Sequence, residues 1–265
     1  MHLSLYKHSV WEVIQSTFTK PIWDTIWPAL GDTLYMVIIS TLFTLIIGLM
    51  LGLILVLTSK EGLHPVPWIS RLLGITINCL RSMPQMIVII LMLPIARLIV
   101  GKAYGTNACI IALVASCVPM FARLVESSLL EVEKGKVEAA RAMGAGNIRI
   151  LLTVMLPEAL PSLIRAFTVA VIAVISMTAL AGSFGAGGIG DIAVRFGFNR
   201  FQHDILLATV LVLIVIVQLV QVAGDFISKL LLKKWHLIHL NQRESSKSLK
   251  KTLRLLPKGS SHQKL

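Results

Sequence analysis

The chain has 265 residues, of which 55% are apolar and only 14% are charged, and its mean hydropathy is +0.81. This composition excludes an ordinary soluble domain and indicates a membrane protein. The net charge of +12 is concentrated near the carboxyl end, where ten Lys and Arg residues lie at or after Lys229 with Glu244 as the single acid. No aromatic surface for base stacking is interleaved with them, so we expect a membrane-surface segment and no nucleic-acid partner.

The cysteines and histidines form no disulfide or metal pattern. Cys79, Cys109 and Cys117 lie in apolar stretches without a CxxC pair, which favours buried free thiols. Only His236 and His239 share a helical spacing, and no third ligand is near them. We therefore expect no metal ion and no cofactor on this chain. The start of the chain also lacks the features of a removable signal peptide.

The first predicted region, residues 1–30, precedes the long apolar runs. It holds Trp11, Trp23 and Trp27 around two prolines. Tryptophan is enriched where a membrane meets water, so we expect an amphipathic segment that lies at this interface on the outer side of the membrane.

Residues 31–232 are predicted to form the membrane domain. A helix needs about 20 apolar residues to cross the hydrocarbon of a bilayer. Four uncharged runs are long enough, and they lie between Asp32 and Lys60, Lys102 and Arg123, Arg165 and Asp191, and Asp204 and Asp225. A fifth apolar stretch, from about Leu72 to Ala96, is interrupted by Arg81. The chain is therefore predicted to be an all-α, polytopic membrane protein with about five transmembrane helices.

The distribution of Lys and Arg predicts the orientation of these helices. With five spans the chain ends lie on opposite sides, and segments rich in Lys and Arg stay in the cytoplasm. Placing the N-terminus outside and the basic tail, residues 233–265, inside puts seventeen of these residues on the inner side and six on the outer side. We therefore expect the N-terminus outside and the C-terminus inside.

Two arginines near the membrane need polar surroundings. An arginine at mid-membrane costs about 2.5 to 3.5 kcal/mol, so Arg81 should reach the inner interface or face the bundle interior. Pro84 is expected to bend the helix just beyond it. Arg123 and Glu126 are three residues apart, and we expect them to form an ion pair on one helix face.

The longest connection between apolar runs, residues 131–161, is predicted to be ordered. Val137–Met143 are mostly strong helix formers, and Gly144 permits a sharp break. Asn147 is expected to cap a second short helix, and Pro157 is expected to prevent its clean continuation. Ordering an undocked loop costs entropy without recovering it, so we expect this loop to dock against another surface.

The residues of this loop resemble the EAA loop of binding-protein-dependent ABC importer permeases. That pattern is EAA, three residues, G, nine residues, I, one residue and LP. The matching residues are Glu138, Ala139, Ala140, Gly144, Val154, Leu156 and Pro157. Only Val154 departs from the pattern. In that family the loop forms coupling helices that insert into a separate ATP-binding subunit, so the resemblance implies such a partner here.

Two further stretches are similar to amino-acid-type permeases of this family. Arg81-Ser82-Met83-Pro84 resembles their R-S-x-P early in the second span, and Gly182 to Asp191 resembles the glycine-rich segment after their fourth core helix. This segment is expected to form a re-entrant or hinge-like turn. Its glycines are Gly185, Gly187, Gly188 and Gly190. From about Gly31 to Leu232 the chain resembles the methionine uptake transporter subfamily.

The resemblance implies a type I ABC importer permease fold and uptake of D- or L-methionine. It also implies a homodimer, two ATP-binding subunits that hold ATP and magnesium, and an extracytoplasmic substrate-binding lipoprotein. No Walker-type glycine-rich loop precedes Gly135-Lys136, and no catalytic set is visible, so a transport subunit without enzyme activity is expected. A permease for another amino acid or a betaine is the alternative. A stand-alone secondary transporter or channel is the rival class.

The fourth uncharged run holds the candidate substrate pathway. Its small residues, among them Ser176 and Ser183, let helices approach closely or line a narrow passage. By alignment with the resembling family, Leu180 takes the place of the bulky apolar residue that closes the passage on the two-fold axis, with Met177 on a neighbouring face. Ordinary helix packing is the other interpretation of these residues.

Overall fold

The computed structural model describes residues 10–59 and 62–255, and the side chains of residues 11, 13–59 and 62–233. Every regular element in these ranges is a helix. The α-helices are α1 (Val10–Thr17), α2 (Lys20–Thr58), α3 (Pro67–Ser82), α4 (Gln85–Val100), α5 (Thr106–Leu130), α6 (Lys134–Ala142), α7 (Asn147–Ile150), α8 (Leu156–Gly182), α9 (Gly188–Ile192) and α10 (His203–Leu255). Two π-helical segments, Leu151–Met155 and Ala193–Phe198, continue α7 and α9.

Four helical stretches are long and apolar enough to cross a membrane. They are α2, α5, the stretch Asn147–Gly182 that includes α8, and residues His203–Lys233 of α10. The pair α3 and α4 passes the same test only when taken together, with a bend of 109° between the two helices. The all-α fold and the expected number of spans are therefore confirmed, with four long helices and one broken pair.

The broken pair corrects the expectation of a helix merely bent at Pro84. The helix α3 ends at Ser82, Met83 is extended with ψ of 139°, and Pro84 occupies the N-cap of α4. A residue before proline avoids the helical conformation because the proline ring clashes with it. Proline also has no N–H to continue the helix. Arg81 is exposed beside this break, in the last turn of α3.

The helices α2 and α5 run side by side at the centre of the bundle. A Cβ atom on Gly48 would lie 2.6 Å from Cδ1 of Phe121, and one on Gly52 would lie 2.6 Å from Cβ of Val125. Because both contacts step four residues in the same direction, the two helices are parallel. Both end where residues 131–161 begin, and we call this the α6 end of the bundle.

The helix α8 runs away from the α6 end, and α10 returns toward it. The hydroxyl of Ser228 donates to the carbonyl of Pro161 at 3.3 Å, and Gly224 lies against Thr168. Residues of α10 after Ser228 therefore continue past the first turns of α8. The expected domain boundaries at residues 30 and 232 both fall inside helices, α2 and α10, and neither coincides with a helix end.

The side chain of Thr33 joins α2 to α9 by a hydrogen bond, and replacing Thr33 is expected to destabilise the bundle. Its buried hydroxyl accepts from the N–H of Ile189 at 2.8 Å and donates to the carbonyl of Ala29 at 3.0 Å. In Thr33→Val a similar shape remains, but the buried N–H of Ile189 loses its partner, which costs about 1 to 3 kcal/mol. Thermal unfolding in detergent should show a lower midpoint.

The control for this prediction is Thr76→Val. Thr76 is exposed, and among the described residues its hydroxyl donates to the carbonyl of Leu72, within α3, at 3.0 Å. Its loss leaves no buried group unpaired, so the unfolding midpoint should stay unchanged. Equal midpoints for both variants would contradict the role assigned to Thr33.

Candidate functional site

The connection from α5 to α8 begins with α6, and a glycine shapes the end of this helix. Gly144 has φ of +82°, which glycine adopts freely and other residues adopt at a cost. Its N–H donates to the carbonyl of Arg141 at 2.9 Å, and the N–H of Ala145 donates to that of Ala140 at 3.1 Å. This pair of bonds is a Schellman motif. The predicted first helix and the sharp break after it are both confirmed.

The second half of the connection differs from the prediction at its N-cap. Gly146 occupies the N-cap of α7, so Asn147 is the first helical residue and caps nothing with its side chain. Before Pro157 the regular α-helix is interrupted, as expected, by the π-helical turn Leu151–Met155, which leads directly into α8. The wider π turn leaves room for the proline ring, and the missing N–H falls in the first turn of α8.

One face of this connection packs on the rest of the bundle. Ala140 of α6 is buried, as are Ile150 and Leu151, and together they join the core formed by Val56 of α2 and Leu129 of α5. Three more motif residues lie half-buried where α8 begins, namely Val154, Leu156 and Pro157. The loop is therefore held by its own apolar face in one position against α2, α5 and α8.

The side of the connection that does not pack on the bundle is exposed. Glu138 and Ala139 are exposed, and the apolar side chains of Met143 and Ile148 are 81% and 68% exposed. Exposed apolar groups on one surface are typical of a protein contact site. Sequence reasoning found the first two residues through their motif and missed the other two, because an apolar residue in a short helix gives no signal of which way it faces.

A cleft of ≈ 580 Å³ opens beside α6. Its lining includes the buried side chains of Leu63, Leu129 and Met155, and its polar residues include Glu138 and Arg141. Glu138 thus stands at the edge of an opening with an apolar interior, and not on a flat surface.

Two polar contacts tie the start of the connection to α8. The ammonium of Lys136 pairs with the carboxylate of Glu158, and the hydroxyl of Ser162 donates to Oε2 of Glu131 at 3.0 Å. The first pair is separated by 22 residues and crosses from α6 to α8. No regular spacing marks such a pair, which is why sequence reasoning missed it.

Arg123 forms the predicted ion pair and two further contacts. Its Nη1 lies 2.6 Å from Oε2 of Glu126, which confirms the pair. Its Nη2 donates to the carbonyl of Gly74 and to Oδ1 of Asn78, both at 3.1 Å. The guanidinium therefore joins α5 to α3 near the α6 end.

The candidate pathway residues of α8 separate into two groups. Ser176, Leu180 and Ser183 are exposed, with Leu180 38% exposed, and their spacing of four and three residues places them on one helix face. Met177 is half-buried and packs on the clusters that contain Met36 and Cys117. The first three residues thus share a bare stripe of α8, and Met177 belongs to the packing of the bundle.

The glycine-rich segment forms the predicted turn after α8. Its residues with positive φ are Gly185, Gly187 and Gly188. The carbonyl of Gly185 accepts from the N–H of Gly105, at 2.8 Å, which ties the turn to the start of α5. The short helix α9 then packs back on α8, where Gly190 faces the backbone of Ala179.

The sequence is similar to known transport permeases. Over 172 residues the chain is 44% identical to the probable D-methionine transport system permease protein MetI of Vibrio cholerae, covering 65% of this chain and 76% of that protein. Over 181 residues it is 41% identical to the methionine import system permease protein MetP of Bacillus subtilis, covering 68% and 82%.

The fold is also similar to a solved permease. A chain in a structure described as inward facing conformations of the MetNI methionine ABC transporter matches with a TM-score of 0.76 and 34% identity. The match covers 80% of this chain and 99% of that one. The family model of the binding-protein-dependent transport system inner membrane component matches residues 47–236, which include the whole connection from α5 to α8. The chain therefore belongs to the family of inner membrane components of binding-protein-dependent transport systems.

Proposed function

We propose that the chain is the membrane-spanning permease of an ATP-driven methionine importer. The observation that carries the proposal is the similarity to permeases named for methionine, which covers 65% and 68% of the chain in sequence and 80% of it in fold. The bare face of α6 supports it, because a permease without its own ATP site needs a docking surface for an ATPase. D- and L-methionine are both proposed substrates.

The proposed assembly is a homodimer of this chain with two ATP-binding subunits and an extracytoplasmic substrate-binding lipoprotein. The exposed stripe of α8 supports the dimer, since its serines and Leu180 are exposed in the part of the chain that the structure describes. Polar groups in a membrane favour a protein or water contact over lipid. In this proposal the α6 end faces the cytoplasm and residues 1–30 lie on the outer side of the inner membrane.

The proposed mechanism is alternating access. ATP binding closes the partner subunits and moves α6 together with α7. The docking face is formed by Glu138 and Ala139 of α6, by Met143 directly after it and by Ile148 of α7. Because Ala140 and Ile150 are packed in the core, α6 cannot shift without the ends of α2, α5 and α8. This movement therefore changes the orientation of the long helices, and with it the side of the membrane to which the passage opens.

The proposed gate is Leu180. Its side chain lies on the bare stripe of α8, where a second copy of the chain would place its own Leu180 opposite. Two bulky apolar side chains meeting on the axis of the dimer would close a narrow passage, and the flanking hydroxyls of Ser176 and Ser183 would line it.

Reconstitution into proteoliposomes with the proposed partner ATPase and substrate-binding lipoprotein tests the proposal. We expect ATP-dependent accumulation of labelled L-methionine, with competition by unlabelled D-methionine if both forms are carried. Vesicles without ATP are the control. Competition by another amino acid or by glycine betaine, with none by methionine, would contradict the substrate and favour the alternative. Accumulation that does not require the ATPase would favour a secondary transporter or channel.

A further inference from the structure

We propose that the ion pair between Lys136 and Glu158 fixes the docking helix α6 to α8 and transmits the motion of the ATPase to the helix that carries Leu180. Lys136 and Glu158 are positioning residues in this role, and neither touches the substrate. The inference rests on the proposed function, since transmission has meaning only where an ATPase moves α6.

The two side chains lie where a movement of α6 would have to be transmitted to α8. Lys136 lies in the first turn of α6, and Glu158 lies in the first turn of α8. Their side chains are 35% and 25% exposed, so the pair sits at the rim of the packed core and not free on the surface. A displacement of α6 therefore acts on the first turn of α8 through a direct contact.

A second contact supports the same connection one turn further along α8. Ser162 donates to Glu131, just after α5, and accepts from Nη2 of Arg165 at 3.1 Å. Glu158, Ser162 and Arg165 are spaced by four and three residues, so they share one face of α8. This face meets the segment that joins α5 to α6.

The backbone between α6 and α8 is poorly suited to transmit the same movement. Between α6 and α8 the backbone passes the reversal at Gly144, the extended Gly146 and the π-helical turn Leu151–Met155. A bend with a glycine can flex at little cost. The apolar packing of Ala140 and Ile150 joins the loop to the ends of α2, α5 and α8 together, whereas the ion pair joins α6 to α8 alone. The ion pair supplies a link at a defined point.

The neighbouring charges do not replace the pair. Glu133 and Lys134 lie at the start of α6 beside Lys136, and Lys134 has an interaction of its own. Among the ion pairs of the described side chains, Arg123–Glu126 lies within α5 and Arg195–Asp191 lies within the continuous segment of α9 and its π turn. The Lys136–Glu158 pair crosses from the docking helix to α8.

The test uses the full chain reconstituted with its ATPase and binding protein. Lys136→Met and Glu158→Gln each remove one charge, and the double variant K136E/E158K restores the pair with the charges exchanged. Co-purification of the ATPase, the rate of ATP hydrolysis and the methionine taken up per ATP are measured. Arg195→Met is the matched control, because it breaks an ion pair that links no two separate helices.

We expect each single variant to retain the ATPase and to hydrolyse ATP, while the methionine taken up per ATP falls about tenfold, a typical size for coupling between sites. The exchanged double variant should regain most of the lost uptake, and Arg195→Met should resemble the unmodified protein. Rescue by the exchange identifies the pair itself, since a loss of side-chain packing would persist in the double variant.

Three results would overturn the inference. Single variants that keep the full uptake per ATP show that the pair transmits nothing. Loss of the ATPase from the single variants, without recovery in the exchanged variant, shows a purely structural role. Absence of methionine uptake by the unmodified protein contradicts the proposed function and therefore also this link. Measuring uptake by the unmodified protein distinguishes this result from the first two.

Discussion

Replacing Gly190 with alanine is expected to destabilise the folded bundle by about 3 kcal/mol, at the upper end of the usual cost of an overpacked contact. A Cβ atom there would lie 2.5 Å from the Cα of Ala179, 2.7 Å from its carbonyl oxygen and 2.9 Å from that of Thr178. These atoms belong to the backbone of α8, so no side-chain rotation relieves the clash, and α9 must move away. Thermal unfolding of the purified protein in detergent measures the loss.

Gly31→Ala is the matched control for this prediction. Gly31 lies inside α2, and a Cβ atom there would meet nothing within 4 Å. Alanine favours a helix over glycine by about 0.5 to 1 kcal/mol, so the unfolding midpoint should stay the same or rise. If Gly190→Ala unfolds at the same temperature as the control, the close approach of α9 to α8 is not required for the fold.

Replacing Leu180 with alanine is expected to let methionine leak through the reconstituted dimer without ATP. The side chain is 38% exposed on the bare stripe of α8, and in the proposed dimer alanine would leave a gap between the two copies. A barrier lower by about 1.4 kcal/mol raises the passive flux about tenfold. Efflux of labelled methionine from preloaded proteoliposomes in the absence of ATP measures this flux.

The chain offers a close control in Leu160→Ala. Leu160 lies on the same helix with the same exposure of 38%, but it is 20 residues from Leu180 and therefore on nearly the opposite face. This variant should be as tight as the unmodified protein. Equal efflux from the two variants, or unchanged tightness and transport in Leu180→Ala, would remove Leu180 from the gate.

The long helices and the loop motif could be predicted from the sequence because each leaves a local signal. Uncharged apolar runs marked α2, α5, α8 and α10, and Gly144 marked the break after α6. The ion pair of Arg123 with Glu126 was also predictable from its spacing of three residues on one helix.

The contacts that could not be predicted have a common physical cause, because each joins groups that are far apart in the chain. Thr33 binds the N–H of Ile189, 156 residues away. Arg123 reaches the carbonyl of Gly74 and the amide of Asn78, 49 and 45 residues away. No spacing rule connects such residues, and only the packed helices bring them together.

Two predictions of local structure concern proline. At Pro157 an interruption of the regular helix was expected, and a π-helical turn lies directly before it. At Pro84 a bend was expected, but the extended Met83 produces a full break of 109°. Proline sets the conformation of its own residue and disfavours helix in the one before it, whereas the surrounding packing decides whether the chain passes or turns.

The length of the loop that contains the π-helical turn Leu151–Met155 is also critical. Each residue of an α-helix rotates the chain by about 100° around the axis. Deleting or inserting a single residue between Gly144 and Pro157 would therefore rotate α6 around α8 and carry Lys136 away from Glu158. The residue count of this stretch sets the angle at which the loop meets the membrane helices, so a change of register there is more disruptive than most changes of side chain.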